Sequence, residues 1–334
     1  MVVAEVGTRT MKAAVCRRPT SPGALAIGDT EVPAVPEDGL LVRVRASSAN
    51  PADLFALSPV AHWQRRRKPA VVGTDFAGIV EAVGSRVTRY RPGDEVFGGV
   101  RGAFAEYAAI AEDGAVARKP AGVSFEDAGT LAVAGTTALQ AVRDHGGVAA
   151  GRRVLVNGAS GGVGTFAVQI AKALGAEVTA VCSTRNVELV RGLGANHVVD
   201  YTQDDFTRGG GSFDLMLDVA GNRSWSDCAR LLRRGGTFVG VGVAGVQHGQ
   251  GGGMRVIRHF LDVRVRSIGG GKKVVVLFIA KLNRPDLETL GELVESGRVK
   301  PVIDRRYDIT QIAAALGYLD EGHTMGKIAI GIGA

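Results

Sequence analysis

Apolar and polar residues alternate along the first third of the chain. The segment LLVRVRASSAN (40–50) shows the period of a half-buried β-strand, and AGIVEAVG (77–84) and AFAEYAAI (103–110) repeat it. Between the last two, RPGDEVFGG carries the Pro and Gly residues that favour turns. Short strands at such close spacing predict a barrel-like β domain.

The pattern changes near residue 125, where apolar strands begin to alternate with helical segments. SFEDAGTLAVAGTTALQAVRDHG predicts one helix with Ser124 as its N-cap. RRVLVNG then reads as a strand and VGTFAVQIAKALG as a helix that ends at Gly175. The rhythm continues through EVTAVCS, NVELVRGLG, FDLMLDVAG, SWSDCARLLRRGG and GTFVGVG. This order predicts a doubly wound parallel sheet with helices on both faces.

The last third begins with a glycine-rich stretch, GVQHGQGGGM (245–254), which predicts a surface loop near the carboxyl ends of the parallel strands. A helix (PDLETLGELVESG), a strand (VKPVIDRRYD), a helix (TQIAAALGYLDEG) and a strand (KIAIGIG) follow. We expect these last strands to return and complete the first domain. The fold class is therefore α/β.

Composition narrows the class of protein. With 334 residues, 46% of them hydrophobic, the chain can fill one large or two medium cores. No apolar run approaches the roughly 20 residues of a membrane-spanning helix, and the first ten residues lack the pattern of a secretory signal. Cys16, Cys182 and Cys228 are far apart and lie in or beside apolar runs. They predict buried thiols without disulfides, which favours the cytoplasm.

Part of the net charge of +7 comes from one cluster, Arg65-Arg66-Arg67-Lys68. Three interpretations are open: a solvated loop, a patch for an anionic substrate tail such as a phosphate or coenzyme A group, and a nucleic-acid surface. Nucleic acid is disfavoured because no aromatic residues are interleaved to stack bases.

The motif with the clearest chemistry is RRVLVNGASGGVGTFAVQIAKALGA, which runs strand, glycine-rich turn, helix. Gly158, Gly161 and Gly164 recur at intervals of three, and Ala159 makes the pattern A-x-G-x-x-G. Such glycines let the backbone turn tightly and approach a pyrophosphate, which the helix N-terminus attracts. The motif predicts dinucleotide binding.

The end of the next strand indicates which dinucleotide is bound. NAD-preferring sites carry an acidic residue there, which accepts a hydrogen bond from the ribose 2′-OH. This strand instead ends in Ser183, Thr184 and Arg185. An arginine can form charge-assisted bonds to a 2′-phosphate, so the sequence predicts NADPH; simple solvent exposure of Arg185 is the alternative.

Taken together, the motifs resemble the medium-chain dehydrogenase/reductase superfamily, in particular its zinc-independent quinone oxidoreductase branch, the zeta-crystallin-like proteins. The resemblance starts at Met11 and implies a GroES-like β-barrel catalytic domain (1–125 and 281–334) and a Rossmann NADPH-binding domain (126–280), with substrate in the cleft between them. It rests on MKAAV, SSANPADLF, GTDFAGIVEAVGSRVTRYRPGDEVFG, AGTTALQA, NGASGGVG, GANHVVDY and GHTMGKIAI, in that order.

The resemblance also bears on metal binding. Zinc-containing relatives carry a Cys ligand near the start of the cleft and a His-Glu pair in the glycine-rich segment. Here the two places read NPAD (50–53) and GTDF (73–76), without Cys or His. A catalytic zinc needs three protein ligands, so we expect no metal.

By resemblance, Asn50 lies beside the nicotinamide, where its amide would orient the cofactor or polarise a substrate carbonyl. Capping of the turn before Pro51 is the alternative. Some enoyl-reducing relatives have a tyrosine at the position of Pro51. Its absence here leaves the proton donor unidentified and favours water or the ribose hydroxyl.

The remaining candidates bind the cofactor. The resemblance places Thr137 at the nicotinamide end and Tyr201 near the 2′-phosphate. Asp218 would lie near the adenosine ribose or only cap a helix, and Lys327 would reach the cofactor from the other domain or lie in solvent. The cofactor-binding set is Thr137, Gly158, Ser160, Gly161, Gly162, Val163, Gly164, Ser183, Thr184, Arg185, Tyr201, Asp218, Val241 and Lys327.

The sequence therefore predicts an NADPH-dependent reductase of quinones or α,β-unsaturated carbonyls. An enoyl reductase acting on acyl thioesters, and a weakly active NADPH- or RNA-binding protein, are the alternatives. A homodimer through the edge strand of the Rossmann sheet is also expected, with VVVLFIA (274–280) as that edge. A monomer in which this strand is covered is the other possibility.

Overall fold

The structure is a computed structural model that describes residues 9–65, 69–208, 212–241, 271–276 and 280–333. The glycine-rich stretch 245–254, the three basic residues 66–68 and positions 277–279 of the expected edge strand lie outside the described residues. No helix in the described ranges combines the length and apolar character needed to cross a bilayer.

The N-terminal part is built from short strands, as the alternating pattern predicts. Most of them are antiparallel, and two short helices follow the long third strand. The elements are β1 (Thr10–Cys16), β2 (Ile27–Glu31), β3 (Gly39–Ala49), α1 (Pro51–Ala56), α2 (Pro59–Gln64), β4 (Ala70–Val71), β5 (Asp75–Val83), β6 (Glu95–Gly99), β7 (Tyr107–Ala111) and β8 (Val116–Arg118).

The middle of the chain alternates strands with helices. Its elements are α3 (Phe125–Ala128), α4 (Ala132–Leu139), a π-helical turn (Gln140–His145), β9 (Arg153–Asn157), α5 (Gly162–Ala173), β10 (Glu177–Cys182), α6 (Val187–Gly192), β11 (His197–Asp200), β12 (Phe213–Asp218), α7 (Trp225–Leu231), β13 (Leu232–Gly240) and β14 (Lys273–Val276).

The C-terminal part holds α8 (Arg284–Glu295), β15 (Ile303–Asp308), α9 (Ile312–Asp320) and β16 (Lys327–Gly331). As expected, its strands return to the first sheet: β16 pairs antiparallel with β3 and parallel with β15. The full order is β15-β16-β3-β5-β6-β8, with β7 also on β3, and a separate small sheet has the order β2-β1-β4.

The second large sheet is parallel and has the order β11-β10-β9-β12-β13-β14. Counted from β9, this is the 3-2-1-4-5-6 order of a dinucleotide-binding sheet, which places a crevice at the carboxyl ends of β9 and β12. The α/β fold with a GroES-like barrel and a Rossmann sheet is therefore confirmed. β14 is the outermost strand of this sheet in the described part of the chain.

Two predicted elements have different bounds. The single helix expected from Ser124 is divided: α3 ends at Ala128, α4 begins at Ala132, and between them the Thr130 and Leu131 N–H groups donate to carbonyl oxygens three residues back. The helix expected over SWSDCARLLRRGG ends at Leu231, since Leu232 already pairs with Phe213 as the first residue of β13. In the second place a tertiary contact, the pairing of β13 with β12, overrides helix propensity.

The three cysteines are buried free thiols, as predicted. Cys182 lies in the core between the Rossmann sheet and its helices, and burial raises the pKa of its thiol to about 11. Burial raises the pKa of the Cys228 thiol to about 12. Both thiols are therefore packing groups rather than nucleophiles at neutral pH.

Candidate active site

The glycine-rich turn joins β9 to α5 and is shaped by close backbone contacts. Gly158 has φ +84°, a conformation that favours glycine, and it lies against Ala220 at the end of β12. A Cβ on Gly164 would come 2.1 Å from the Gly158 carbonyl oxygen. The first turn of α5 thus rests directly on the backbone of the preceding turn.

The outer side of the same turn is open and fits a dinucleotide. A Cβ on Gly161 would meet only the Gly158 carbonyl oxygen, at 3.5 Å. Gly161 is also the N-cap of α5, whose first N–H groups have no intrahelical partner and favour an anion. Gly161, Gly162 and Val163 would hold the pyrophosphate by their backbone.

A buried asparagine, not anticipated from the sequence, lies beside this turn. Asn186 Nδ2 donates to Ser160 Oγ at 2.9 Å and to Ser183 Oγ at 3.3 Å, which links the turn to the end of β10. Asn186 Oδ1 is buried and has no hydrogen-bond partner in the described part of the chain. An unpaired polar atom at this place is suited to a ribose hydroxyl.

The predicted 2′-phosphate residues lie at the ends of β10 and β11. Thr184 Oγ1 donates to Asp200 Oδ2 at 2.6 Å, and Tyr201 is 48% exposed. Arg185 is exposed and donates to the His323 carbonyl oxygen at 2.6 Å, so it reaches the C-terminal segment. Hydrogen bonds from the Thr184 hydroxyl and from Thr202 hold the pKa of the Asp200 carboxyl below its usual range.

Asp218 and Val241 lie at the ends of β12 and β13. Asp218 Oδ1 accepts from Asn157 Nδ2 at 2.8 Å and from the Gly221 N–H at 2.9 Å, and the Val241 N–H donates to the Asp218 carbonyl oxygen. Asp218 is buried, with 1% of its surface exposed. It holds the turn after β12 in place, next to the glycine-rich turn.

A second group of predicted residues meets in the barrel. Lys327 Nζ donates to Asn50 Oδ1 at 2.5 Å and lies 3.5 Å from Asp75 Oδ2, and these three residues are almost completely buried. Burial lowers the pKa of the Lys327 ammonium, while Asp75 and Asp53 oppose that shift. The alternative that Lys327 lies in solvent is wrong, because β16 is an inner strand paired on both sides.

Asn50 has no free amide hydrogen in this arrangement. Its Nδ2 donates to the Ser48 carbonyl oxygen at 3.2 Å and to Asp75 Oδ2 at 2.9 Å. The predicted polarisation of a substrate carbonyl by this amide is therefore at odds with the geometry. Asn50 is also the N-cap residue of α1, and its N–H donates to Asp53 Oδ2 at 2.8 Å in a capping box, so the structure agrees with the capping alternative.

Asp53 and Thr74 adjoin this cluster. Asp53 is buried, and Thr74, which is half-buried, donates from Oγ1 to Asp53 Oδ1 at 3.4 Å. Burial raises the pKa of the Asp53 carboxyl to about 7; Asp75 adds to the shift, and the Asn50 N–H, Lys327 and Thr74 oppose it. A carboxyl of this kind can hold or release a proton near neutral pH.

The barrel cluster is connected to the Rossmann half at two places. Asp75 Oδ1 accepts from the Val133 N–H at the start of α4 (2.8 Å), and Thr137 Oγ1 donates to the Val133 carbonyl oxygen one turn later. In addition, the Gly326 N–H donates to the Ser160 carbonyl oxygen at 2.8 Å, directly before Lys327. The Asn50 cluster, Thr137 and the glycine-rich turn therefore lie at one junction.

Sequence reasoning missed four polar residues of this junction. Asp53, Thr74 and Asp75 were considered only as positions without a zinc ligand, and Asn186 was not singled out. A signal was present for Asp53 and Asp75, since an acidic residue inside an otherwise apolar stretch calls for a buried partner.

Comparisons with known proteins agree with this architecture. Residues 36–121 match the family "Alcohol dehydrogenase GroES-like domain", and residues 193–330 match the family "Zinc-binding dehydrogenase". The chain is 30% identical over 332 residues to "NAD(P)H oxidoreductase RTN4IP1, mitochondrial" of Bos taurus, which covers 88% of this chain and 81% of the relative. It is 35% identical over 322 residues to "Trans-enoyl reductase pgmF" of Aspergillus terreus, covering 88% and 86%.

The solved structure of the quinone oxidoreductase from Coxiella burnetii superposes with a TM-score of 0.85 at 28% sequence identity, covering 97% of this chain and 100% of that one. The chain thus belongs to the medium-chain dehydrogenase/reductase superfamily, in its quinone oxidoreductase-like branch. It is an oxidoreductase of a family that uses a nicotinamide cofactor.

Proposed function

We propose that the protein is a zinc-independent, NADPH-dependent reductase that transfers hydride to a quinone or an α,β-unsaturated carbonyl. The observation that carries the proposal is the buried Asn50–Asp75–Lys327 cluster at the junction with the glycine-rich turn. Asn50 and Asp75 lie in the two segments where zinc-containing relatives have metal ligands, and Lys327 contacts both of them. The acceptor class is supported by the quinone oxidoreductase fold neighbour.

These side chains do not fit a catalytic zinc. Lys327 brings an ammonium group to within 2.5 Å of Asn50 Oδ1 and 3.5 Å of Asp75 Oδ2. A divalent cation bound to the same oxygens would be repelled by that ammonium at close range. The Lys327 charge already balances Asp75, as a buried carboxylate requires.

Bound NADPH would supply the hydride. The backbone of Gly161 to Val163 would hold its pyrophosphate, and Ser183, Thr184, Arg185 and Tyr201 would surround the adenosine end. Lys327 fixes the orientation of the Asn50 amide, because the amide oxygen faces the Lys327 ammonium and the amide nitrogen faces Asp75. We propose that Asn50 is a positioning residue and that, together with Thr137, it forms one wall of the nicotinamide pocket.

The proposed division of the chain is a GroES-like catalytic domain of residues 1–125 and 281–334 and a Rossmann domain of residues 126–280. β14 is the outermost strand of the parallel sheet among the described residues, and this position supports the proposed homodimer. The three buried free thiols support a reducing compartment, for which we propose the cytoplasm.

Arg65 donates to the Ala56 carbonyl oxygen at 3.0 Å, which favours a local structural role over an anion patch for this residue.

Oxidation of NADPH against a panel of quinones, enones and acyl thioesters tests the acceptor class. We expect turnover with quinones or enones that persists after dialysis against a chelator. Turnover confined to acyl thioesters would instead support an enoyl reductase, the alternative favoured by the 35% identical trans-enoyl reductase. No turnover with any acceptor, or turnover that is lost with the metal, would contradict the proposal.

Arg185 is expected to set the cofactor preference. Replacing it with alanine removes a charge-assisted bond to the 2′-phosphate and should weaken NADPH binding about tenfold, which corresponds to about 1.4 kcal/mol. NADH binding should stay the same, and calorimetric titration of both cofactors measures the two effects. Arg191→Ala, at an exposed arginine of α6 paired with Glu188, is the matched control. Equal weakening of both cofactors by Arg185→Ala would argue against a phosphate contact.

A further inference from the structure

The proposed reduction needs a proton as well as a hydride, and the barrel contains a buried acid one hydrogen bond away from a partly exposed hydroxyl. Asp53 has 2% of its surface exposed, whereas Thr74 is half-buried. Thr74 Oγ1 and Asp53 Oδ1 are 3.4 Å apart, a long but usable hydrogen bond. Thr74 lies next to Asp75 of the Asn50 cluster, at the junction where the substrate is expected.

We infer that Thr74 delivers the proton to the reduced substrate and that Asp53 replaces it. The inference rests on the proposed function, because it assigns the proton source of that reaction. Thr74 is then a catalytic residue that touches the substrate, and Asp53 acts through it.

The step balances as follows. Hydride addition to the β carbon of an enone leaves an enolate, which carries the electron pair of the former double bond. The Thr74 O–H bond breaks and its proton forms a bond with the enolate, while the Asp53 carboxyl gives its own proton to Thr74 Oγ1. Asp53 is left as a carboxylate and takes up a proton from water before the next turnover. A quinone acceptor is protonated at oxygen by the same route.

The surroundings of Asp53 suit this role. Two charged groups act on it from other strands, Asp75 of β5 and Lys327 of β16, and they have opposite effects. Burial is the largest influence and raises the pKa of Asp53 to about 7. The carboxyl is therefore protonated in a large fraction of molecules at neutral pH, and Lys327 stabilises the carboxylate that forms when the proton leaves.

A simpler role for Asp53 is structural. Its Oδ2 accepts from the Asn50 N–H as the third residue of α1, which is a common capping contact. That contact uses only Oδ2, and it would lower the pKa of the carboxyl rather than raise it. Oδ1 faces Thr74, so the capping role leaves the proposed donor atom free for proton transfer.

The first test uses the product rather than the rate. An α-substituted enone reduced in D₂O by the wild-type enzyme should give one configuration at the deuterated α carbon, because Thr74 delivers the deuteron from one side. Thr74→Val should lower turnover about 100-fold and give a product with eroded configuration, since water then protonates from both sides. Thr74→Ser, which restores a hydroxyl, should recover both. Full turnover and unchanged configuration in Thr74→Val would overturn the inference.

The second test concerns Asp53 and includes a measurement without cofactor. Infrared titration of the unliganded protein should show a buried carboxyl that ionises near pH 7 and is missing in Asp53→Asn. The turnover rate of the wild type should fall above about pH 7 as this proton is lost. The Asp53→Asn variant should turn over slowly, and its rate should not fall above that pH. Asp29→Asn, at an exposed aspartate, is the control for both. An unchanged pH profile in Asp53→Asn would overturn the relay.

If Asp53→Asn does not fold, the wild-type protein alone still tests the ionisation. A carboxyl with a raised pKa keeps its proton in the folded state while the unfolded chain releases it near pH 4. This group should therefore make the protein lose stability as the pH rises from about 4 to about 7. Absence of the infrared band in the wild type would contradict the relay, whereas absence of turnover with every acceptor would contradict the proposed function instead.

Discussion

Gly164→Ala is expected to lower the free energy of unfolding by about 2 kcal/mol and to abolish measurable dinucleotide binding. The new methyl group would lie 2.1 Å from the Gly158 carbonyl oxygen and 2.8 Å from two backbone atoms of Ala159. None of these atoms can rotate away, so the first turn of α5 must move off the glycine-rich turn. That movement displaces the N–H groups proposed to hold the pyrophosphate. Urea denaturation and calorimetric titration with NADPH measure the two losses.

Two alanine variants separate packing from binding. Gly317 lies in α9 with no atom within 4 Å of the added Cβ, so Gly317→Ala should raise stability slightly through helix propensity. Gly161 has φ −81° and an open outer face, so Gly161→Ala should keep its stability and yet bind NADPH at least tenfold more weakly. Wild-type affinity in Gly161→Ala would mean that the dinucleotide does not lie on this turn.

Lys327→Met is expected to cost about 3–5 kcal/mol of stability. The substitution keeps the length of the side chain but leaves Asp75, which is completely buried, without its countercharge. It also removes the donor to Asn50 Oδ1, so this buried acceptor oxygen loses its hydrogen bond. Chemical denaturation at neutral pH measures the loss.

A double-mutant cycle shows whether the loss comes from the buried pair. Adding Asp75→Asn to Lys327→Met removes the unpaired charge and should recover a large part of the stability, so the two changes should not be additive. Lys12→Met, which breaks the exposed contact with Asp29, should have little effect. Additive losses at Lys327 and Asp75 would mean that their charges do not interact as the structure indicates.

The fold follows from the sequence because local patterns specify it. The spacing of Gly158, Gly161 and Gly164 between an apolar strand and an amphipathic helix predicts the turn, and the structure has β9 and α5 within two residues of the expected bounds. The return of the last strands to the first sheet was also expected, and β16 pairs there with β3.

The chemistry of the site depends on contacts that local patterns do not contain. Asn50 and Lys327 are 277 residues apart, and only the fold shows that the lysine occupies the amide oxygen. The raised pKa of Asp53 has the same origin, because the burial and the neighbouring charges come from β5 and β16. Sequence reasoning could name Asn50 and Lys327 as candidates, but it could not assign what each one faces.

The pairing of β16 with β3 also has a consequence for how the protein is made. The ribosome releases β3 early, but its antiparallel neighbour β16 consists of residues 327–331, which are synthesised only after the strands of the parallel sheet. The parallel sheet lies between these two segments and can form during translation, since domains fold as units once their sequence has emerged. The part of β3 that pairs with β16 therefore stays unpaired until residues 327–331 have been synthesised.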